Sequence, residues 1–121
     1  MSTEERPWGN FEVLCEGPGY KVKRLTIYPS QRFSLQYHMK RSEHWFIVEG
    51  TGIVTTQMAG ANTEYNRPVG PRQTVFIVPG ERHRARCVGR SNLVFIEVQL
   101  GDYLEEDDIV RLEDDFGRIK E

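Results

Sequence analysis

The chain has 121 residues, room for one domain with a modest core and no need of a second. A formal net charge of −2 gives no bulk electrostatic support for nucleic-acid or membrane binding, so neither is expected as a partner. The polar start Met1-Ser2-Thr3-Glu4-Glu5-Arg6 has no apolar stretch behind it and no run approaches a membrane span, so a cytoplasmic protein is expected.

Taken in chain order, short apolar and β-branched runs alternate with turn signals. The runs are Phe11 to Cys15, Tyr20 to Tyr28, Phe33 to His38, His44 to Glu49, Ile53 to Gln57, Thr74 to Val78, His83 to Val88 and Leu93 to Leu100. Gly17-Pro18-Gly19, Pro29-Ser30, Gly50-Thr51-Gly52, Gly60-Ala61-Asn62, Pro68 to Pro71 and Gly89-Arg90-Ser91 punctuate them. This rhythm predicts an all-β antiparallel sandwich or barrel. In the last run Val94, Ile96, Val98 and Leu100 share one face and Phe95, Glu97 and Gln99 the other. Cys15 and Cys87 fall in strand-like segments. Two buried free thiols are the default, with a disulfide between them left open.

Within this framework one stretch stands out, Gln36-Tyr37-His38-Met39-Lys40-Arg41-Ser42-Glu43. Gln36 and His38 are two apart and face the same side of an extended strand. After a tight connection, Glu43 opens a second strand that ends at the Gly50-Thr51-Gly52 turn. His83 follows Thr74 to Val78 and the Pro79-Gly80 turn, at the start of another strand. Two oxygen donors and two imidazoles suit one divalent ion, zinc first, with cobalt, manganese, nickel and iron as alternatives. Each residue alone reads as an ordinary polar side chain; the joint spacing makes the metal site.

From Asp102 the character changes. Glu105, Glu106, Asp107 and Asp108 precede Ile109-Val110-Arg111-Leu112, and acidic residues before a short apolar run predict a short C-terminal helix. The expected organisation is a β core over about 6–101 and a helical tail over 102–121. Arg111 and Arg118 are seven apart, and a short bent helix would aim both at the barrel mouth. Bidentate phosphate recognition and salt bridges to the adjacent carboxylates explain them equally well.

Several blocks together resemble a known family. They are Arg6-Pro7-Trp8-Gly9, Gly17-Pro18-Gly19-Tyr20-Lys21-Val22-Lys23-Arg24, Ser34-Leu35-Gln36-x-His38, Arg41-Ser42-Glu43-His44-Trp45, His83-Arg84, Ile96-Glu97-Val98-Gln99-x-Gly101-Asp102-Tyr103-Leu104 and Glu106 to Arg111. From Arg6 to Arg118 the chain resembles the type II mannose-6-phosphate isomerase cupin, which forms the C-terminal half of bifunctional isomerase/mannose-1-phosphate guanylyltransferases. The resemblance implies a single cupin domain, a double-stranded β-helix or jelly-roll barrel, with the ligands Gln36, His38, Glu43 and His83. In that family glutamine replaces the first histidine of the general cupin motif, as Gln36 does here. The bifunctional members carry a nucleotidyltransferase domain with a Gly-rich phosphate loop ahead of the cupin. This chain starts at the cupin, so guanylyltransferase activity is not expected.

The implied reaction interconverts mannose 6-phosphate and fructose 6-phosphate by moving a proton between C1 and C2, with the ion polarising the oxygens there. Arg111 and Arg118, joined by Arg6 from the opening block, are the candidates to bind the hexose phosphate. Glu97 is a candidate general acid/base and equally a structural carboxylate. A non-catalytic cupin that binds a sugar phosphate or nucleotide sugar, assisting a separate nucleotidyltransferase, is the alternative. A metal-dependent oxygenase is a weaker third, from which Gln36 leans away. A homodimer is expected by analogy with cupins that pair through their sheets. Four departures from the family pattern remove no ligand: Met39 and Lys40 replace further histidines, Cys87 replaces asparagine, Ser30 replaces glycine, and the motif proline is shifted to Pro79.

Overall fold

The computed structural model describes residues 3–118, and strands account for all of its regular structure. In chain order they are β1 (Thr3–Arg6), β2 (Gly9–Gly17), β3 (Tyr20–Ile27), β4 (Leu35–Tyr37), β5 (Ser42–Glu49), β6 (Gly52–Gln57), β7 (Tyr65–Val69), β8 (Thr74–Ile77), β9 (Arg82–Cys87), β10 (Leu93–Leu100) and β11 (Val110–Glu113). A six-stranded sheet runs β1-β2-β3-β10-β5-β8 and a five-stranded one β11-β4-β9-β6-β7, with every pairing antiparallel. The two sheets close over one core that includes Ile27, Trp45, Ile47, Val54, Ala85, Leu93 and Phe95.

The turns explain several sequence choices. Gly50 sits at φ 89°, and a Cβ there would lie 2.3 Å from the carbonyl oxygen of Asn92, so only glycine closes the β5–β6 turn. Ser30 holds φ 67°, the left-handed conformation that makes glycine usual at that position.

Three differences from the sequence expectation have physical reasons. Pro68 marked a turn, yet it lies in β7. That strand is the edge of its sheet, where the missing N–H of proline costs no ladder bond. The helical tail is not formed: among the described residues 102–118 is extended and turned, and Val110–Glu113 is a strand. It pairs with β4 through Val110 to Tyr37 and Arg111 to Gln36. A four-residue run is too short to stabilise a helix, whereas the open edge of β4 offers it hydrogen bonds at once. Cys15 is exposed rather than buried, and both cysteines are free thiols.

On β10 the two faces sort in an instructive way. Leu93, Phe95, Glu97 and Gln99 are buried, while Val94, Ile96 and Val98 are half-buried on the outside. The face that carries the polar residues is therefore the inner one. The outer face of the same sheet also exposes Phe46, Val48, Phe76 and Leu100.

Candidate metal centre

Gln36 on β4 lies in register with His83 on β9 and with Arg111 on β11. His38 follows β4 directly, and Glu43 is the second residue of β5. This pairing brings His38, Glu43 and His83 together, with one ligand atom from each within 4.8 Å of the others. All three are buried, His83 completely.

Hydrogen bonding sets the ring tautomers. A carbonyl oxygen only accepts, so His38 Nδ1 donates to the carbonyl of Asp108 at 2.6 Å and His83 Nδ1 donates to that of Glu81 at 2.9 Å. Both Nε2 lone pairs thereby face the centre, 3.3 Å and 3.9 Å from the two carboxylate oxygens of Glu43, with that of His38 accepting from Arg41 Nη2 at 3.2 Å. His83 Nε2 is buried and has no hydrogen-bond partner among the described residues. An orphaned imidazole lone pair facing a buried carboxylate and a second imidazole fits a divalent ion. Gln36 lines the adjoining pocket, and its Oε1 accepts from Ser34 Oγ at 3.0 Å.

The protonation states agree with that fit. Burial, helped by Arg41 and His83, pulls the His38 imidazole down to about 4, against Glu43 and the Asp108 carbonyl. It is neutral at physiological pH, as a ligand must be. Burial would raise Glu43, but a hydrogen bond with Glu97 and the charge of the Arg41 guanidinium hold it well below the carboxylate range. Glu97, buried beside Glu43, is pushed well above that range. The two carboxyl groups thus share one negative charge, carried by Glu43.

Arg6, Arg111 and Arg118, named from the sequence, line one pocket of about 130 Å³ together with Gln36, His38, Glu43 and Glu97. Burial first, then the neighbouring Arg118 and Arg6, lower the Arg111 guanidinium. Its Nε is buried and unpartnered among the described residues. Arg118 is bound to Asp114 at 2.7 Å, the salt bridge that the sequence left open. Arg111 instead faces the pocket with unused donor capacity. Arg111 and Arg118 reach this place from a strand and the following turn rather than from a helix.

Several residues of the site escaped sequence reading. Arg41 is buried, donates from Nε to Glu43 at 2.9 Å, and places Nη2 3.2 Å from His38 Nε2. Trp45 Nε1 donates to the other oxygen of Glu43 at 2.9 Å. Lys23, also buried, pairs with Glu106 and lies 4.2 Å from the centre of the Phe11 ring. The period of two on β3 carried the signal for Lys23, since it shares a face with Leu25 and Ile27. Lys40, by contrast, is exposed, and its ammonium sits 4.4 Å over the Tyr103 ring.

Comparison with solved structures supports the architecture. The capsular polysaccharide assembling protein CapF from Staphylococcus aureus superposes with a TM-score of 0.83 at 18% identity, covering 93% of this chain and 34% of that one. Oxalate decarboxylase from Bacillus subtilis gives 0.79 at 16% identity, covering 92% and 30%. At these identities the likeness shows the fold, a cupin barrel. Relatives by sequence are much nearer. Mannose-1-phosphate guanylyltransferase ManC from Salmonella typhimurium is 41% identical over 94% of this chain, and the xanthan biosynthesis protein XanB from Xanthomonas campestris is 42% identical over 93%. The chain spans only 22% and 23% of the length of those two proteins. The family described as Mannose-6-phosphate isomerase C-terminal matches residues 2–114. The fold, the buried ligand cluster and a family match over nearly the whole chain converge: this chain belongs to the Mannose-6-phosphate isomerase C-terminal family.

Proposed function

We propose that the chain is a metal-dependent sugar-phosphate isomerase that interconverts mannose 6-phosphate and fructose 6-phosphate. The observation that carries this reading is one pocket lined by Gln36, His38 and Glu43, the latter two grouped with the buried His83, and also by Arg6, Arg111 and Arg118. A hexose phosphate has that polarity, with carbonyl and hydroxyl oxygens at C1 and C2 and a dianion at C6. The family supports an enzyme, and the relatives supply a mannose phosphate as the class of substrate.

His38, Glu43 and His83, with Gln36 as the fourth donor, would hold one divalent ion, zinc first. When bound, the ion supplies Lewis acidity to the oxygens on C1 and C2. Arg111 and Arg118, with Arg6, hold the phosphate and so fix which carbons lie near Glu97. Glu97 lines the same pocket and is the candidate acid/base for the proton moved between C1 and C2, entering that exchange as the acid because its carboxyl is held protonated beside the charged Glu43. Trp8, Phe11 and Phe33 wall the pocket and exclude water from the exchange.

A second reading, a non-catalytic cupin that binds a sugar phosphate or nucleotide sugar beside a nucleotidyltransferase, is favoured by the guanylyltransferase names of the longer relatives. A coupled assay on chelator-stripped protein reloaded with zinc, cobalt, manganese or iron separates the two. Metal-restored turnover that vanishes in His38→Ala supports the isomerase; stoichiometric metal uptake without turnover supports the binding module. We further propose a homodimer through the outer face that exposes Phe46, Val48 and Phe76, checked by sedimentation of wild type and Phe76→Glu.

A further inference from the structure

Asp108 binds three consecutive residues of the connection that carries the first histidine. Its main-chain oxygen accepts from His38 Nδ1 at 2.6 Å, and its carboxylate oxygens accept from the backbone N–H of Met39 at 3.0 Å and of Lys40 at 2.9 Å. The carbonyl of His38 is itself held by the N–H of Gly80 at 2.7 Å. The ring and its backbone are therefore gripped from two sides.

The two histidines differ in where this support comes from. His83 donates to Glu81, two residues back on the same approach to β9, so its tautomer is set locally. His38 donates to a carbonyl 70 residues further on, so the Nδ1 side of its ring has this support only when the C-terminal segment is docked, Arg41 Nη2 meeting Nε2 on the other side at 3.2 Å. The two N–H bonds to the Asp108 carboxylate are charge-assisted and hold that carbonyl over the ring. They also keep the carboxyl below its ordinary range although burial works the other way.

We infer that Asp108 is the positioning residue of the metal centre: from the C-terminal segment it fixes the tautomer and ring direction of His38, so that Nε2 presents its lone pair beside Glu43. This rests on the metal reading above and adds to it a dependence on a residue that touches neither metal nor substrate. Outer partners of ligating histidines are worth about 10- to 100-fold in metal affinity.

The test is equilibrium titration of the metal-free full chain with Co²⁺, followed by absorption, together with ¹⁵N spectra of the imidazole of His38. Wild type is expected to bind one equivalent and to show His38 protonated at Nδ1. In Asp108→Ala, cobalt affinity falls about 10- to 100-fold and the His38 nitrogens report a tautomer mixture, while His83 is unchanged. Asp108→Asn keeps one carbonyl acceptor and recovers part of the affinity; it serves in place of the alanine variant if that chain does not fold. Variants that match wild type in both affinity and tautomer overturn the inference. A loss of affinity with the His38 tautomer intact also overturns it, because that is the signature of general loosening. Wild-type protein that takes up no cobalt overturns the metal reading and this inference together, whereas cobalt binding without isomerase turnover counts against the isomerase alone.

Discussion

Along β3, β5, β9 and β10 the inward side chains change from polar at one end of the barrel to apolar at the other. Lys23 gives way to Leu25 and Ile27, Glu43 to Trp45 and Ile47, His83 to Ala85 and Cys87, and Gln99 and Glu97 to Phe95 and Leu93. Strand register aligns the change, since Glu97 lies opposite Lys23 and Trp45 while Phe95 lies opposite Leu25 and Ile47. The apolar half removes hydrocarbon from water and stabilises the fold. The polar half buries carboxylates, a lysine, an arginine and two imidazoles, which costs free energy unless each finds a partner. Three groups there, His83 Nε2, the Gln99 amide and Arg111 Nε, have none among the described residues. The strands are shared, so the division of labour lies along them rather than between them. It also explains why Cys87 replaces the family's asparagine without touching the site: it belongs to the apolar end.

That contrast is open to direct attack. The largest effect is expected from His83→Ala, which removes a ligand at the polar end. Metal content should fall to background and any isomerase turnover with it, while circular dichroism still reports a folded β protein; retained stoichiometric metal would dissolve the distinction between the halves. Next comes Leu93→Ala at the apolar end, expected to lower stability by about 2–5 kcal/mol in a denaturant titration. Its folded fraction should still bind one metal equivalent, and a loss of metal there would show that the halves are coupled.

Arg111→Ala sharpens the picture within the polar half. Losing a charged hydrogen bond to phosphate costs about 1.5–3 kcal/mol, expected as a roughly 10- to 100-fold higher KM for mannose 6-phosphate with metal affinity unchanged. The smallest effect concerns pH. Arg32 holds Asp115 below the carboxylate range, and Lys23 and Arg118 do the same for Glu106 and Asp114 against the opposing influence of burial. Groups with depressed folded pKa values contribute stability above their unfolded pKa of about 4 and lose it as pH falls through the folded value. Amide exchange of β11, corrected for intrinsic rate, should therefore accelerate below about pH 4 before that of β10 does. Simultaneous release of both strands would show that these ion pairs do not anchor the segment.

Much of this was legible because its signals are local. Alternation and turn residues mark β2 to β6 and β8 to β10, and the spacing of Gln36, His38, Glu43 and His83 along the chain is enough to mark a ligand set. β7 was missed because Pro68 reads as a breaker wherever edge position is unknown. β11 was misread because acidic residues ahead of Ile109-Val110 resemble a helix start, and nothing local reveals a free β4 edge some 70 residues away in sequence. Arg41 and Asp108 gave no signal for a related reason, as their roles consist of contacts that the spacing of the chain does not encode.

Composition, alternation and motif spacing by themselves determined an all-β antiparallel fold, sandwich or barrel, and singled out residues whose chemistry suits a metal, because period and ligand type are properties of the chain alone. Tertiary structure decided which face of β10 turns inward, that the tail docks as a strand, and that Arg6, Arg111 and Arg118 meet His38 and Glu43 in one pocket. These depend on which strand edges and charges are left unsatisfied once the barrel closes, and only the assembled fold sets that balance.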